Sequence, residues 1–113
     1  MASKKNKKLD RAALGQVAKV FSLFSEPLRL ALIQELKDGE KSVNALVKSL
    51  DVSQAHVSRQ LTILSEGKLL TRERRGNQVF YSISEPMVYQ LCEIVCGKLN
   101  HDVKAAAETM FSL

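Results

Sequence analysis

At 113 residues, 45% of them hydrophobic and 26% charged, the chain has the size and composition of one globular domain. That leaves no room for separate catalytic and binding halves and argues against a fibrous or wholly disordered protein. Seventeen Lys and Arg stand against twelve Asp and Glu, a formal charge of +5, and the excess favours a polyanionic partner over a membrane, since no apolar run approaches the roughly 20 residues of a bilayer span.

Residues 1–8, MASKKNKK, hold four Lys and no large apolar group beyond Met1, so a disordered basic arm is expected there and a folded domain over 9–113. The same stretch lacks the apolar segment of a secretory signal. Leu9, Ala13, Leu14, Val17, Val20, Phe21 and Phe24 recur at helical spacing, predicting a helix over 9–24 whose apolar stripe is wide enough to be buried on more than one side. Pro27 suits the first turn of a second helix running to Gly39, entered at Ser25 or Glu26, with Leu28, Ala31, Leu32 and Leu36 inward. DGEK reads as a loop. Ser42 then caps a third helix whose Val43, Leu46, Val47 and Leu50 form one apolar face. Asp51 and Val52 make a tight connection, Asp being one of the few residues that tolerate a left-handed backbone. Ser53 caps a fourth helix, with Val57, Leu61 and Leu64 as a narrow buried stripe ending near Gly67.

After Gly67 the period changes to two: LLTRERR, a turn at Gly76-Asn77, then QVFYSIS, the pattern of a β-hairpin. From Glu85 onward Val88, Leu91, Cys92, Val95 and Leu99 return to helical spacing, with Pro86 in the first turn and room for the helix to continue towards Leu113. Two helices joined by a short connection and followed at once by a hairpin give the order of a winged helix-turn-helix, mainly α with a two-stranded β-wing.

That order gives the polar face of the fourth helix, within SQAHVSRQLTIL, a use. At about 100° per residue, the side opposite Val57, Leu61 and Leu64 carries Ala55, Arg59 and Thr62, flanked by His56 and Ser58, with Gln54 in the first turn after Ser53. Gln can bridge an adenine edge, Arg a guanine edge and Ser either, while Ala55 permits close approach and can touch a thymine methyl. A solvated face is the plain alternative, but such faces usually mix Lys and Glu, and this one carries the single charge Arg59. The hairpin adds Arg72, Arg74 and Arg75, with Asn77 and Gln78 at its tip, suited to phosphates and to a minor-groove contact. Its plain alternative is a charged edge strand that blocks aggregation.

The run from SEPLRLALIQEL through KSVNALVKSLDVSQAHVSRQLTILSEGKLLTRERRGNQVFYSI resembles the ArsR/SmtB family of bacterial winged-helix repressors, over most of residues 12–99. The specific parts are the SQxxVSxxL pattern at 53–61, Leu69-Leu70 and the Gly76 turn leading to Phe80-Tyr81. The resemblance implies a homodimer built on the first and last helices, a partly palindromic double-stranded operator, and release by an inducer. Gln60 stands where the family often has His, a change expected to alter a phosphate contact at the side of the helix. Ser42 and Asn44 replace the paired cysteines of the family's thiolate site. The residues matching its zinc site, Glu85, Met87, Lys98 and His101, include two poor zinc ligands, so no metal ligand set is assigned.

Cys92 and Cys96 remain as the candidate sensor. Four residues apart on one helix face, they suggest thiols in a reducing, cytoplasmic compartment rather than a disulfide framework. In a dimer two such pairs could hold a thiophilic metalloid or undergo thiol oxidation; the alternative is two buried core thiols. No catalytic constellation is present: His101 lies about 180° around the helix from Cys92, and neither a glycine-rich phosphate loop nor paired carboxylates appear. The reading is a DNA-binding transcriptional regulator, a homodimeric repressor released by an inducer sensed at or near Cys92 and Cys96. The alternative is a winged-helix DNA binder or protein-interaction module without a ligand.

Overall fold

A computed structural model describes residues 7–104. Residues 1–6 of the arm expected over residues 1–8, and any continuation of the last helix past residue 104, lie outside the described residues. In chain order the elements are α1 (Arg11–Ser22), α2 (Pro27–Leu36), β1 (Lys41–Ser42), α3 (Val43–Leu50), α4 (Gln54–Glu66), β2 (Leu70–Arg75), β3 (Gln78–Ile83) and α5 (Met87–Asp102).

Side-chain caps decide where the first four helices begin. Asp10 accepts from the Ala13 N–H at 2.8 Å, Glu26 from Arg29 at 3.0 Å, Ser42 from Ala45 at 3.0 Å and Ser53 from His56 at 3.2 Å. Each satisfies one of the orphan donors of a first turn, and losing such a cap costs about 0.5–2 kcal/mol. Asp51 takes the left-handed conformation, φ 54° and ψ 48°, that ends α3 and turns the chain into α4. Helix α2 stops at Leu36, short of the expected Gly39. Gly39 has φ 128°, outside any helical region, and its N–H donates to the Leu36 carbonyl at 3.0 Å to close the turn.

The hairpin has the expected register, from Leu70 opposite Ile83 to Arg75 opposite Gln78. Gly76, at φ 65°, occupies the first position of its two-residue turn, where a II′ connection requires glycine. The sheet also has a third member. Lys41, read from sequence as the end of a loop, and Ser42, read as a helix cap, pair antiparallel with Tyr81 and Phe80, giving the order β1-β3-β2. Two residues are too short for an alternation to be visible.

One cluster forms the core: Leu32, Ile33 and Leu36 of α2, Leu46 of α3, Val57, Leu61 and Leu64 of α4, Leu69, Leu70 and Tyr81 of the wing, and Val88 and Cys92 of α5. Helix α1 contributes nothing fully buried. Leu14, Val17, Val20 and Phe21 are exposed, Phe21 at 62%, and Tyr89, Ile94 and Val95 of α5 are exposed as well, Ile94 at 68%. The expected burial of the α1 stripe on more than one side is therefore not met within one chain. Only Leu23 and Phe24, past its end, pack against the core. Among the described residues no helix is long and apolar enough to cross a membrane.

Candidate nucleic-acid interface

Helix α4 buries Val57, Leu61 and Leu64 completely, which turns the opposite side outward. Ser53, Gln54, Ala55, His56, Arg59 and Thr62 are exposed and Ser58 is half-buried. Thr62 commits its hydroxyl proton to the Ser58 carbonyl at 2.9 Å, so only its acceptor lone pairs face outward. The first turn of α4, where recognition helices meet base edges, thus presents an amide, a methyl and an imidazole.

The wing stands beside this face and encloses with it an open, polar cleft of about 230 Å³. Gln54, Ser58 and Thr62 line one wall, Arg72, Asn77 and Gln78 with Val79 and Tyr81 the other, and Ser42, Val43 and Asn44 at the start of α3 form its end. Six of the residues singled out in the sequence are therefore brought together in one groove. Ser53, Ala55, His56, Arg59, Arg74 and Arg75 do not line it; Ala55 and Arg59 stand around the helix from that wall. Ser42 and Asn44 were not singled out for this face. Ser42 was visible as a cap and Asn44 as a missing cysteine, but that α3 delivers both to the foot of α4 depends on how the two helices cross.

Pairing across the hairpin sorts the three wing arginines. Paired residues share a face of the sheet, so Arg72 lies with Tyr81 and Arg74 with Val79 on the cleft side, whereas Arg75, paired with Gln78 beside the turn, shares the other face with Glu73 and Phe80, and Gln78 reaches the cleft from the turn end of the strand. Arg74 folds back on the turn, its Nε donating to the Gly76 carbonyl at 3.2 Å. Arg75 is held in place: Nη2 bonds both Glu40 and Glu73, and the guanidinium sits 4.4 Å from the centre of the Phe80 ring. The hydrogen bond from Arg75, with its charge, holds the exposed Glu73 carboxyl below the usual carboxylate range.

Gln60 is not at the side of the helix in reach of a phosphate, as expected from sequence, but 7% exposed. Its Oε1 accepts from Arg29 Nη1 at 2.6 Å. Helical periodicity alone puts residue 60 between the polar and apolar faces; Arg29, 31 residues away in sequence, draws it inward.

The comparisons agree with this geometry. Residues 24–73, from the end of α1 to the middle of β2, match a family model described as a helix-turn-helix domain. The transcriptional regulator NmtR of Mycobacterium tuberculosis is 32% identical over 85 residues, covering 75% of this chain and 71% of that relative. The chain belongs to the ArsR/SmtB family of winged helix-turn-helix transcriptional regulators. Among solved structures, that of AntR, an antimony-specific transcriptional repressor, superposes with TM-score 0.74 at 25% identity over 92% of this chain and 96% of that one. A homodimeric winged helix-turn-helix DNA-binding domain from Mycobacterium bovis gives TM-score 0.69 at 28% identity, covering 86% and 90%.

In this ArsR/SmtB protein both thiols are free and buried, Cys92 at 3% and Cys96 at 8% exposure. Burial pushes the Cys92 thiol above its ordinary value, with Lys37 pulling more weakly the other way. Cys92 also forms part of the wall of an apolar cavity of about 240 Å³ between α1, α2 and α5, with Phe21, Phe24, Leu30, Leu91 and Val95. Among the described residues no group of three or more His, Cys, Asp or Glu could hold a metal ion.

Proposed function

We propose that the protein is a homodimeric transcriptional repressor that binds a partly palindromic operator through α4 and the wing, and that an inducer acting at Cys92 and Cys96 releases it. The observation that carries this reading is the groove that joins Gln54 and Ser58 of α4 to Arg72 and the wing tip. It combines groups that read base edges with a guanidinium that can hold a phosphate. The apolar surface left on α1 and α5 and the homodimeric M. bovis neighbour support the dimer. A regulator with an operator as its target works in the cytoplasm.

Selection of bound duplexes from a random pool, followed by titration at several salt concentrations, tests the assignment. Arg72→Ala and Arg74→Ala should each weaken binding evenly across sequences and make the salt slope shallower by about 1, the signature of one lost phosphate contact. Arg75→Ala should leave the slope nearly unchanged, because its charge is already shared between Glu40 and Glu73. A flat salt response of the wild type would remove nucleic acid as the partner and favour a protein-interaction module.

For the inducer, a trivalent metalloid is the species to test first, since AntR is an antimony-specific repressor and As(III) or Sb(III) bonds directly to thiols. Each thiol would pass its proton to a departing hydroxide, leaving as water. Oxidation fits less well, because a thiol held protonated by burial is a slow nucleophile. As(III) should lower operator affinity about 5–150-fold, the usual range of allosteric coupling, and Cys92→Ser/Cys96→Ser should abolish that response. Burial favours a second reading, in which both thiols only pack the core; a wild type indifferent to As(III) and to hydrogen peroxide would establish it.

A further inference from the structure

Helix α1, which carries the exposed apolar face, and helix α4, which carries the base-reading face, meet at one directional contact. The guanidinium of Arg29 makes three hydrogen bonds with three partners: Nε to the Leu23 carbonyl at 3.0 Å, Nη2 to the Ser22 carbonyl at 2.9 Å, and Nη1 to Gln60 Oε1 at 2.6 Å. Ser22 and Leu23 end α1, where carbonyls lack helical partners and a cation is favoured. Among the described residues Gln60 is the one buried polar side chain. Opposite a guanidinium only its oxygen can accept, which fixes the amide orientation. The Arg29 backbone is itself fixed, its N–H donating to the Glu26 cap at 3.0 Å.

A second link runs alongside the first. A Cβ added to Gly67, the C-cap of α4, would lie 2.6 Å from Leu23 Cδ1 and 2.9 Å from Cδ2. The end of α1 therefore rests directly on the backbone at the end of α4, in space only glycine leaves free. Gly67 has φ −78°, so its requirement is for room and not for a special backbone conformation.

We infer that Arg29 is a positioning residue for DNA recognition: together with Leu23 on Gly67, it fixes the rotation and offset of α4 relative to α1, and so sets the spacing of the two recognition helices in the dimer. The inference rests on the dimeric DNA-binding reading above. The other attachments of α4, through Val57, Leu61 and Leu64, are apolar and non-directional. They hold the helix down while leaving it freer to roll and slide. Hydrogen bonds to a planar fork of donors are directional, and lysine, a single point of charge, cannot reproduce them. Half-sites sit about one helical turn apart, near 34–36 Å. A small roll of α4 against α1 is therefore doubled across the dimer and read as a wrong spacing.

The experiment measures affinity of the full-length dimer on duplexes whose half-sites are separated in single base-pair steps, with a lone half-site as reference. Gln60→Met keeps the length of the side chain and removes the acceptor. It should lower affinity at the preferred spacing about tenfold, flatten or shift the spacing profile, and change lone half-site binding less than twofold. Gln60→Glu, which keeps the acceptor, should retain the wild-type profile. Gly67→Ala should shift the profile through the other link, and adding Leu23→Ala should restore it; this pair carries the test if Gln60→Met does not fold. Equal losses at every spacing and on the lone half-site, or a Gln60→Met profile identical to wild type, would overturn the inference. A wild type with no spacing preference would instead sink the dimeric operator reading on which it stands.

Discussion

Phe21→Glu should convert the protein to a monomer at micromolar concentration and lower its affinity for a two-half-site operator by about a hundredfold or more. Within one chain Phe21 is 62% exposed, beside Leu14, Val17 and Val20 on α1, and it shares an apolar cavity with Val95 of α5. Large apolar side chains gain about 1.5–3 kcal/mol each when fully taken from water, and a contiguous apolar face of this kind on a small domain marks an interface. A carboxylate at its centre would have to be desolvated without a partner, at a cost of several kcal/mol. Two linked half-sites bind with avidity some 10²–10⁴ above one alone, so the monomer should fall back to half-site affinity. Sedimentation and operator titration check both halves of the statement. Because Phe21 is not among the residues of the single-chain core cluster, far-UV circular dichroism should still report a folded helical protein. A dimeric Phe21→Glu protein, or a monomeric one with full operator affinity, would contradict the assignment.

Gln54→Ala and Arg59→Ala should each cost about 1–3 kcal/mol on the preferred operator and relax base preference at neighbouring positions. Gln54 lies in the first exposed turn of α4 and lines the cleft, where an amide can bond an adenine edge with both its donor and its acceptor. Arg59 is exposed around the helix from that wall, and its fork matches the O6 and N7 acceptors of guanine. Neither side chain is part of the core, so truncation should leave thermal stability nearly unchanged. The discriminating measurement is the ratio of specific to random-sequence affinity. That ratio should fall for these two variants and hold for Arg72→Ala and Arg74→Ala. Equal losses on random DNA would place Gln54 and Arg59 among backbone contacts instead.

The starts of α3 and α4 were legible in the sequence because capping is a local interaction. Ser42 and Ser53 each reach a backbone N–H three residues on, so the signal and its partner lie in one short window. The hairpin was legible for the same reason: its turn glycine and its alternation sit within 15 residues, and Leu70 to Ile83 pair as the pattern implies. The exposed polar face of α4 followed from periodicity once Val57, Leu61 and Leu64 were assigned inward.

Elsewhere the deciding partner was remote. Lys41 and Ser42 become a strand only because Tyr81 and Phe80 offer them an edge. Arg75, read from sequence with Arg72 and Arg74 as suited to phosphates, is bonded to Glu40, which only folding brings in from the loop between α2 and β1. Gln60 passed for a surface residue because nothing nearby in sequence announces Arg29 as its partner. The same holds for the α1 stripe, whose apolar pattern was correct and whose burial within the chain was not, since periodicity shows that a face is apolar without saying which molecule covers it. Sequence by itself therefore determined the five helices, the hairpin, their order and the apolar or polar character of each face, all properties of spacing along one segment. Tertiary structure alone decided which polar groups are free to meet DNA and which hold the molecule together, because that depends on charges and carbonyls distant in the chain that only folding brings within hydrogen-bond reach.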